Sequence, residues 1–319
     1  MKIWLEIFFQ FLKLGLTSFG GPSAHMAYFR ECFVEKRKWL SEEDYASLMA
    51  LCQFLPGPGS SQVGMGIGWT RGGIGGSLAA FLGFTLPSAV LMAVFGWAVI
   101  SFSGTGDLAQ QGWIRGLGIA VVVVVAQAVW SMRQALCPDK TTHVIALAAA
   151  AAFVLGRDWP WTQIAIIASG AVLGGVLLKK NHELIVSTPR VNTINSASRI
   201  FAIACFGIFL ALLLGWPLVE KTCDCRVIES FGAMYRSGAL VFGGGHVVLP
   251  LLSGEVVDSG WVSAEHFAAG YGGAQAVPGP VFTISAFLGA VIESPLALPL
   301  LTLVCVIGIF LPGWLLVMG

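Results

Sequence analysis

Five stretches of this chain are apolar over about the length that a helix needs to cross a lipid bilayer. A crossing takes about 20 apolar residues, because the hydrocarbon core is about 30 Å thick and a helix rises about 1.5 Å per residue. The five stretches are residues 74–101, 112–134, 160–178, 198–219 and 295–318. Residues 3–19 and 142–156 are shorter or more polar, and we expect further crossings or tilted helices there. The sequence therefore predicts an all-α integral membrane protein, a polytopic helical bundle in the lipid bilayer.

Composition excludes several other classes of protein. Only 11% of the residues are charged, against about 25% in a soluble domain. The net charge of +1 creates no field that would attract nucleic acid, so we expect no such partner. The chain has no Walker loop, H-E-x-x-H motif or nucleophile elbow, which argues against an enzyme, a catalytic residue or a cofactor. Cys223 and Cys225 have no further ligand motif nearby, so we expect no metal site.

Four apolar pieces are too short to cross the bilayer and are interrupted by glycine and proline. They are residues 45–55, 60–69, 231–242 and 266–277. Lipid cannot satisfy the N–H and C=O groups of non-helical backbone, so such backbone is tolerated only inside protein or beside a wet cavity. We therefore expect broken or re-entrant helices, and we expect their breaks to mark the functional site.

The chain contains an internal repeat. Residues 39–58, WLSEEDYASLMALCQFLPGP, align with residues 261–280, WVSAEHFAAGYGGAQAVPGP, and eight of the twenty positions are identical. Upstream, Gly15 and the Phe-Gly-Gly sequence at 19–21 align with Gly238 and the Phe-Gly-Gly sequence at 242–244. Short interrupted segments at matching places in two halves point to the binding site of a secondary transporter.

The repeat divides the chain into a first half (1–178), a polar linker (179–198) and a second half (199–319). Phe84-Thr85-Leu86-Pro87 resembles Ile309-Phe310-Leu311-Pro312, and only seven residues follow the second proline. We therefore expect the second repeat to be cut short at its C-terminus.

Charges in matching loops indicate how the two halves are oriented. Residues 22–44 include Arg30, Lys36, Arg37 and Lys38, whereas residues 246–265 include no lysine or arginine. Positively charged loops lie on the cytoplasmic side of a membrane. We therefore expect the two loops to lie on opposite sides, which makes the repeat inverted.

Paired glycines near the start of each half are the first candidates for a binding site. Glycine leaves the backbone N–H groups uncovered, and the positive end of a following helix can hold an anion. These residues are Gly20, Gly21 and Pro22 in the first half and Gly243, Gly244 and Gly245 in the second. The alternative role is ordinary helix capping or close helix packing.

The two Pro-Gly-Pro turns supply the second group of candidates. They remove backbone donors and break the helix, and neutral amide or hydroxyl groups beside them suit recognition of a desolvated oxyanion. The group comprises Gln53, Pro56, Gly57, Pro58, Ser60 and Gln62 in the first half and Gln275, Pro278, Gly279, Pro280 and Thr283 in the second. Alternatively, these side chains satisfy carbonyl groups that the break leaves without a helical partner.

Four ionisable residues complete the candidate site. His25 and His246 follow the glycine pairs, where titration can couple proton movement to a substrate, although they are out of register. Ordinary interfacial histidines are the alternative. Arg71 and Arg236 lie next to broken segments, where a basic group at depth needs an anionic partner or wet surroundings.

Five segments together resemble the chromate ion transporter family, over nearly the whole chain. They are LGLTSFGGP at 14–22, WLS at 39–41, LPGP at 55–58, LVFGGGH at 240–246 and AVPGP at 276–280. The resemblance implies export of chromate from the cytoplasm across the bacterial inner membrane, which confers chromate resistance. It also implies that the membrane potential or a proton gradient drives this export.

The residues by themselves lead only to a transporter of a small polar or anionic solute. Sulfate has the same charge as chromate and nearly the same tetrahedral shape, so transport of sulfate or another oxyanion stays an alternative. A second alternative is a non-transporting partner that associates with another subunit, or with a second copy as a homodimer.

Overall fold

The computed structural model describes residues 2–103, 139–156, 162–177, 196–223, 225–241, 248–294 and 298–319, with a few single positions between 116 and 137. Every regular element in these ranges is a helix. The chain forms two compact units, one of Met1–Val121 with Thr188–Gly319 and one of Val122–Ser187. Most of the crossing expected at 112–134 and of the linker at 179–198 falls outside the described residues.

The larger unit holds most of the described helices. Its first part contains α1 (Lys2–Thr17), α2 (Gly21–Phe29), a π-helix (Arg30–Lys36), α3 (Glu42–Phe54) and α4 (Gly59–Ser103). In the smaller unit, α5 (Lys140–Leu155) is capped by Asp139 and is followed by α6 (Thr162–Leu177). The larger unit continues with α7 (Ser196–Thr222), α8 (Arg226–Ala239), α9 (Val248–Val256), α10 (Ala264–Ala276), a short 3₁₀-helix (Val281–Thr283), α11 (Ile284–Val291) and α12 (Leu298–Met318).

Within the described residues, three helices are long and apolar enough to cross a membrane: Gly59–Ser101, Arg199–Thr222 and Pro299–Met318. They confirm the crossings predicted at 74–101, 198–219 and 295–318. Large apolar side chains are exposed on these helices, among them Leu82, Val94 and Leu214. In water such surface would be costly, whereas lipid is the solvent that suits it.

Helix α4 is two helices that the chain joins by reversing direction. Gly72 and Gly73 have non-helical backbone angles, and φ of Gly73 is +61°, a value that favours glycine. Beyond this break, a Cβ added to Gly68 would overlap the carbonyl oxygen of Gly76, and the reverse also holds. The segment before the break, α4a (59–71), therefore lies antiparallel against the segment after it, α4b (74–103), with backbone touching backbone.

Contacts along α4b show the directions of two later helices. Ser88 of α4b lies beside Gly279, and Gly96 lies beside Phe287 and Ala290, so α11 runs parallel to α4b. In contrast, α12 runs antiparallel to α4b. The rings of Phe81 and Phe310 are 5.2 Å apart, and Trp314 Nε1 donates to Ser77 Oγ at 3.2 Å.

Glycines permit the close packing of α1 on α4b and of α8 on α12. A Cβ added to Gly15 would lie 2.7 Å from the carbonyl oxygen of Phe84, and one on Gly238 would overlap that of Ile309. The second helix of each pair also contributes a glycine. Gly83 of α4b faces the carbonyl oxygen of Phe8, and Gly308 of α12 faces that of Phe231. These two contacts of the first pair of helices thus have counterparts at aligned sequence positions of the second pair.

Serine caps the two helices that lead into the Pro-Gly-Pro turns. Ser41 Oγ accepts from the N–H of Asp44 at 3.0 Å, and Ser263 Oγ accepts from that of His266 at 3.2 Å. An N-cap hydroxyl satisfies a backbone donor that the first helical turn leaves without a partner.

Replacing either capping serine by alanine is expected to lower the free energy of unfolding by about 1 kcal/mol, the usual contribution of an N-cap. Denaturant titration in detergent micelles would measure this loss. Ser259→Ala is the matched control, because the Ser259 hydroxyl donates to the carbonyl of Glu255 and caps no helix start. An equal loss in all three variants would contradict the capping role.

Candidate functional site

The two Pro-Gly-Pro turns are bound to the other half of the chain in a reciprocal way. The N–H of Gly57 donates to the carbonyl oxygen of Val241 at 2.8 Å, and the N–H of Gly279 donates to that of Ser18 at 3.0 Å. Ser18 and Val241 each stand directly before a Phe-Gly-Gly sequence. Each proline turn is therefore hydrogen-bonded to the residue that directly precedes the Phe-Gly-Gly sequence of the opposite half, inside the larger unit.

The glycine of each Pro-Gly-Pro turn also packs closely against a residue that follows a proline inside a helix. At Gly57, an added Cβ would lie 3.1 Å from Cα of Gly313, and at Gly279 it would lie 2.8 Å from Ser88 Oγ. Gly313 follows Pro312 and Ser88 follows Pro87. Both glycines have positive φ, +128° and +103°, which side chains disfavour. Glycine is needed at both places for backbone angle and for space.

Polar side chains are buried around these turns. Several of their atoms have no hydrogen-bond partner among the described residues, namely Ser18 Oγ, His25 Nδ1, Ser61 Oγ, Gln62 Oε1, Thr85 Oγ1 and Ser285 Oγ. A buried polar atom usually has a partner, because desolvation without a hydrogen bond costs free energy. The hydroxyl groups of this set are therefore suited to donate to a polar solute.

The side chains of Gln62 and Thr283 donate hydrogen bonds to backbone carbonyl groups at the turns. Gln62 Nε2 donates to the carbonyl oxygen of Pro56 at 2.9 Å and to that of Gly313 at 3.4 Å. Thr283 Oγ1 donates to the carbonyl oxygen of Pro280 at 2.7 Å. These bonds match the alternative in which side chains satisfy carbonyls at the break. Only the amide oxygen of Gln62 is left for another donor.

His25 is fully buried in α2, close to Ser18. Its Nε2 lies 3.3 Å from the carbonyl oxygen of Ser18, and its ring packs edge-on against Phe84 with centroids 5.1 Å apart. The carbonyl requires a proton on Nε2, which makes Nδ1 an acceptor in the neutral ring. His25 therefore joins the region around the second Pro-Gly-Pro turn.

The other predicted residues of the turns occupy varied positions. Gly20 caps α2 with φ +101°, Gly21 has φ +74°, and Pro22 follows in the first turn of that helix. Pro56 is half-buried, whereas the remaining prolines of both turns and Ser60 are buried, namely Pro58, Pro278, Pro280 and Ser60. Gln53 is exposed, and Gln275 Nε2 donates to the hydroxyl of Tyr271 at 2.8 Å. Gly243, Gly244, Gly245 and His246 lie outside the described residues.

Arg236 differs from the free counter-charge that the sequence suggested. Its guanidinium donates to both oxygens of Glu220 at 2.8 Å and to Glu255 at 2.9 and 2.7 Å. All three side chains are at least two-thirds buried. The arginine therefore joins α8 to α7 and α9, and its charge is already balanced by two carboxylates.

A basic cavity of about 740 Å³ lies between α1, the π-helix and the end of α4a. Its cationic lining residues are Lys13, Lys36, Arg37, Lys38 and Arg71. Two carboxylates also line it, and each has a partner: Glu31 binds Lys36 at 2.5 Å and Glu6 binds Arg37 at 3.2 Å. The hydrogen bond from Lys36 lowers the pKa of Glu31, so that pair stays ionised. Arg71, predicted as a counter-charge for an anion, lies in this cavity and not at the central turns.

Several residues of these two regions were missed by sequence reasoning. Ser18 and Ser88 stand directly beside recognised motifs, and Lys13 is a lone cation in the apolar stretch 3–19. The available signals were that Ser18 directly precedes the Phe-Gly-Gly sequence, that Ser88 follows Pro87, and that Lys13 stands two residues before Gly15. A single polar residue in an apolar run does not show by itself whether it faces protein or lipid.

Comparison with known proteins now identifies the family. The family model described as chromate transporter matches residues 5–175 and 228–319. The chain belongs to the chromate transporter family. It is consequently a membrane transporter and not an enzyme, and membership supports an oxyanion as the substrate.

Curated members of the chromate transporter family align with most of the chain. A chromate transport protein of Pseudomonas aeruginosa is 27% identical over 97% of this chain and 70% of its own length. A probable chromate transport protein of Synechococcus elongatus is 30% identical over 88% and 67%. A third, from Cupriavidus metallidurans, is 28% identical over 89% and 66%, so the chain spans about two thirds of these relatives. No solved structure matches the chain.

Proposed function

We propose that this chain is a secondary transporter that exports chromate from the cytoplasm across the bacterial inner membrane. It does so through two inverted repeats, residues 1–178 and 199–319, joined by the linker 179–198. The observation that carries the proposal is the reciprocal pair of hydrogen bonds, from Gly57 to Val241 and from Gly279 to Ser18. Because each half holds the turn of the other, both halves contribute to one central region, as in transporters built from repeats.

Helix directions support the inversion. The helix after the first Pro-Gly-Pro turn, α4a, runs antiparallel to α4b. The helix after the second turn, α11, runs parallel to α4b. The proline-containing helices α4b and α12, which align in the repeat, are antiparallel. Equivalent elements that run in opposite directions are related by an axis in the membrane plane.

The chemistry of the central region suits an oxyanion that has lost its water. Chromate is a tetrahedral dianion, and its oxygens need N–H or O–H donors in place of solvent. Buried hydroxyl groups of Ser18, Ser61, Thr85 and Ser285 lie on segments that follow the turns or contact them. Neutral donors bind the dianion without adding fixed charge at membrane depth, where ionised side chains are costly.

The basic loop supports the direction of transport. Residues 22–44 carry four basic side chains, and from the bias of such loops toward the cytoplasm we infer that this loop and the cavity beside it face the cytoplasm. An anion from the cytoplasm thus meets the cavity before the central turns. Removal of chromate from the cytoplasm would give the cell resistance to it.

Flux in proteoliposomes and everted membrane vesicles tests the proposal. Everted vesicles that contain the chain are expected to accumulate labelled chromate, and unlabelled sulfate is expected to compete with it. Imposed potentials or pH gradients in proteoliposomes would identify the driving force. Empty vesicles are the control. If sulfate moves while chromate neither moves nor competes, the chain transports sulfate; flux only beside a full-length relative would favour a partner subunit.

A further inference from the structure

We propose that the basic cavity beside α1 is a separate binding site that captures a divalent tetrahedral oxyanion before it reaches the central turns. This inference rests on the proposed function, because it assigns the first binding site on the same transport path. Within the described part of the chain, Lys13, Lys38 and Arg71 have no carboxylate within ion-pair distance. The cavity consequently keeps an excess of three positive charges, which favours an anion with more than one negative charge.

The cavity reaches toward the central turns along one face of α1. Gln10, Lys13 and Leu14 all line it, as residues spaced by three and four do on a helix. The carbonyl oxygen of Leu14 accepts from the N–H of Ser18 at 2.8 Å, and Ser18 in turn binds Gly279. One helical turn therefore separates the inner end of the cavity from the turn of the second half.

Trp39 holds two of the guanidinium groups in place. Arg37 and Arg71 lie over its ring, 5.6 and 5.4 Å from the centroid, and Phe33 stacks on it at 4.8 Å. A guanidinium bound to an aromatic face keeps its N–H groups in a fixed plane, from which they can donate in pairs to an oxyanion. The site is thus organised in advance.

The cation at the matching position of the second half is already bound by carboxylates and does not attract an anion. Lys13 and Arg236 stand two residues before Gly15 and Gly238, the glycines that occupy matching contacts. Whereas Lys13 faces the cavity without a carboxylate partner among the described residues, Arg236 is bound by Glu220 and Glu255. Of these two cations, Lys13 alone is therefore available to an oxyanion, on the side of residues 22–44.

Cys32 provides a reporter inside the cavity, because its half-buried thiol lines the wall. The full chain would be prepared with Cys137, Cys223 and Cys225 changed to serine, and Cys32 would be labelled with an anionic methanethiosulfonate. Sulfate is the probe, because it has the charge and shape of chromate but does not oxidise thiols. Sulfate is expected to protect Cys32 from labelling, and chloride at the same ionic strength is not.

Charge variants test which side chains hold the anion. Lys13→Gln and Arg71→Gln are each expected to raise the half-protecting sulfate concentration about tenfold, as for loss of one partly screened cation near a dianion. Lys2→Gln, on the same helix but outside the cavity lining, is the control and should leave it unchanged. Absence of protection in a chain with normal chromate flux would overturn the capture site and leave the proposed function standing. Protection that depends on Lys13, in a chain that moves neither anion, would establish the site and refute the proposed function.

Discussion

Gly279→Ala is expected to reduce the initial rate of oxyanion transport at least about 30-fold, while the protein still inserts into the membrane. Residue 279 has φ +103°, and the added methyl carbon would lie 2.8 Å from Ser88 Oγ. Positive φ and overpacking together cost about 2 kcal/mol or more, and about 1.4 kcal/mol corresponds to a factor of ten. The turn must shift, and the hydrogen bond from Gly279 to Ser18 shifts with it. Flux of labelled chromate and sulfate in proteoliposomes measures the effect.

Two further variants separate crowding from backbone strain. Gly260→Ala is the matched control, since Gly260 has φ +76° but nothing within 4 Å of an added Cβ, and we expect nearly normal flux. Gly57→Ala should resemble Gly279→Ala, because its Cβ would lie 3.0 Å from Gln62 Nε2. Adding Ser88→Gly to Gly279→Ala should restore part of the flux. Wild-type transport by both Gly57→Ala and Gly279→Ala would remove the paired turns from the transport path.

Arg236→Met is expected to lower the free energy of unfolding by roughly 3 kcal/mol, toward the lower end of the range for loss of one partner from a buried ion pair. The substitution leaves the carboxylates of Glu220 and Glu255 close together and without a cation. Their side chains are only 19% and 29% exposed, so water screens them poorly. Denaturant titration of purified protein in detergent micelles measures the change.

Neutralising the two glutamates should reverse most of this loss. The triple variant with Arg236→Met, Glu220→Gln and Glu255→Gln removes the uncompensated charge, and we expect its stability to approach that of the wild type. Lys36→Met serves as a control, because the pair of Lys36 with Glu31 is exposed and exposed pairs contribute little. If the triple variant is as unstable as Arg236→Met alone, the ion network is not the cause.

The breaks in the helices were predictable because their causes are local. Proline at 56, 58, 278 and 280 has no N–H group to continue a helix, and the structure ends α3 at Phe54 and α10 at Ala276. Likewise, the predicted short pieces at 45–55 and 60–69 correspond to α3 and α4a. Hydrophobic stretches of sufficient length predicted the crossings for the same reason, since length and solvation depend on neighbouring residues in the chain.

Which side chains face the central region was less predictable. Gln53 stands three residues before the first turn and was a candidate, yet it is exposed while its neighbour Cys52 is buried. Successive residues on a helix point about 100° apart, so proximity in sequence to a break does not give the direction of a side chain. Ser18 and Ser88 were missed for the same reason.

By itself the sequence determined the helical membrane class, the family and the positions of the breaks. Only the tertiary structure decided that Gly57 binds Val241, that Gly279 binds Ser18, and that Arg236 is neutralised by glutamates 16 and 19 residues away. The physical reason is the range of the forces. Backbone angles and burial in lipid act on short segments, whereas these pairings depend on how distant helices pack.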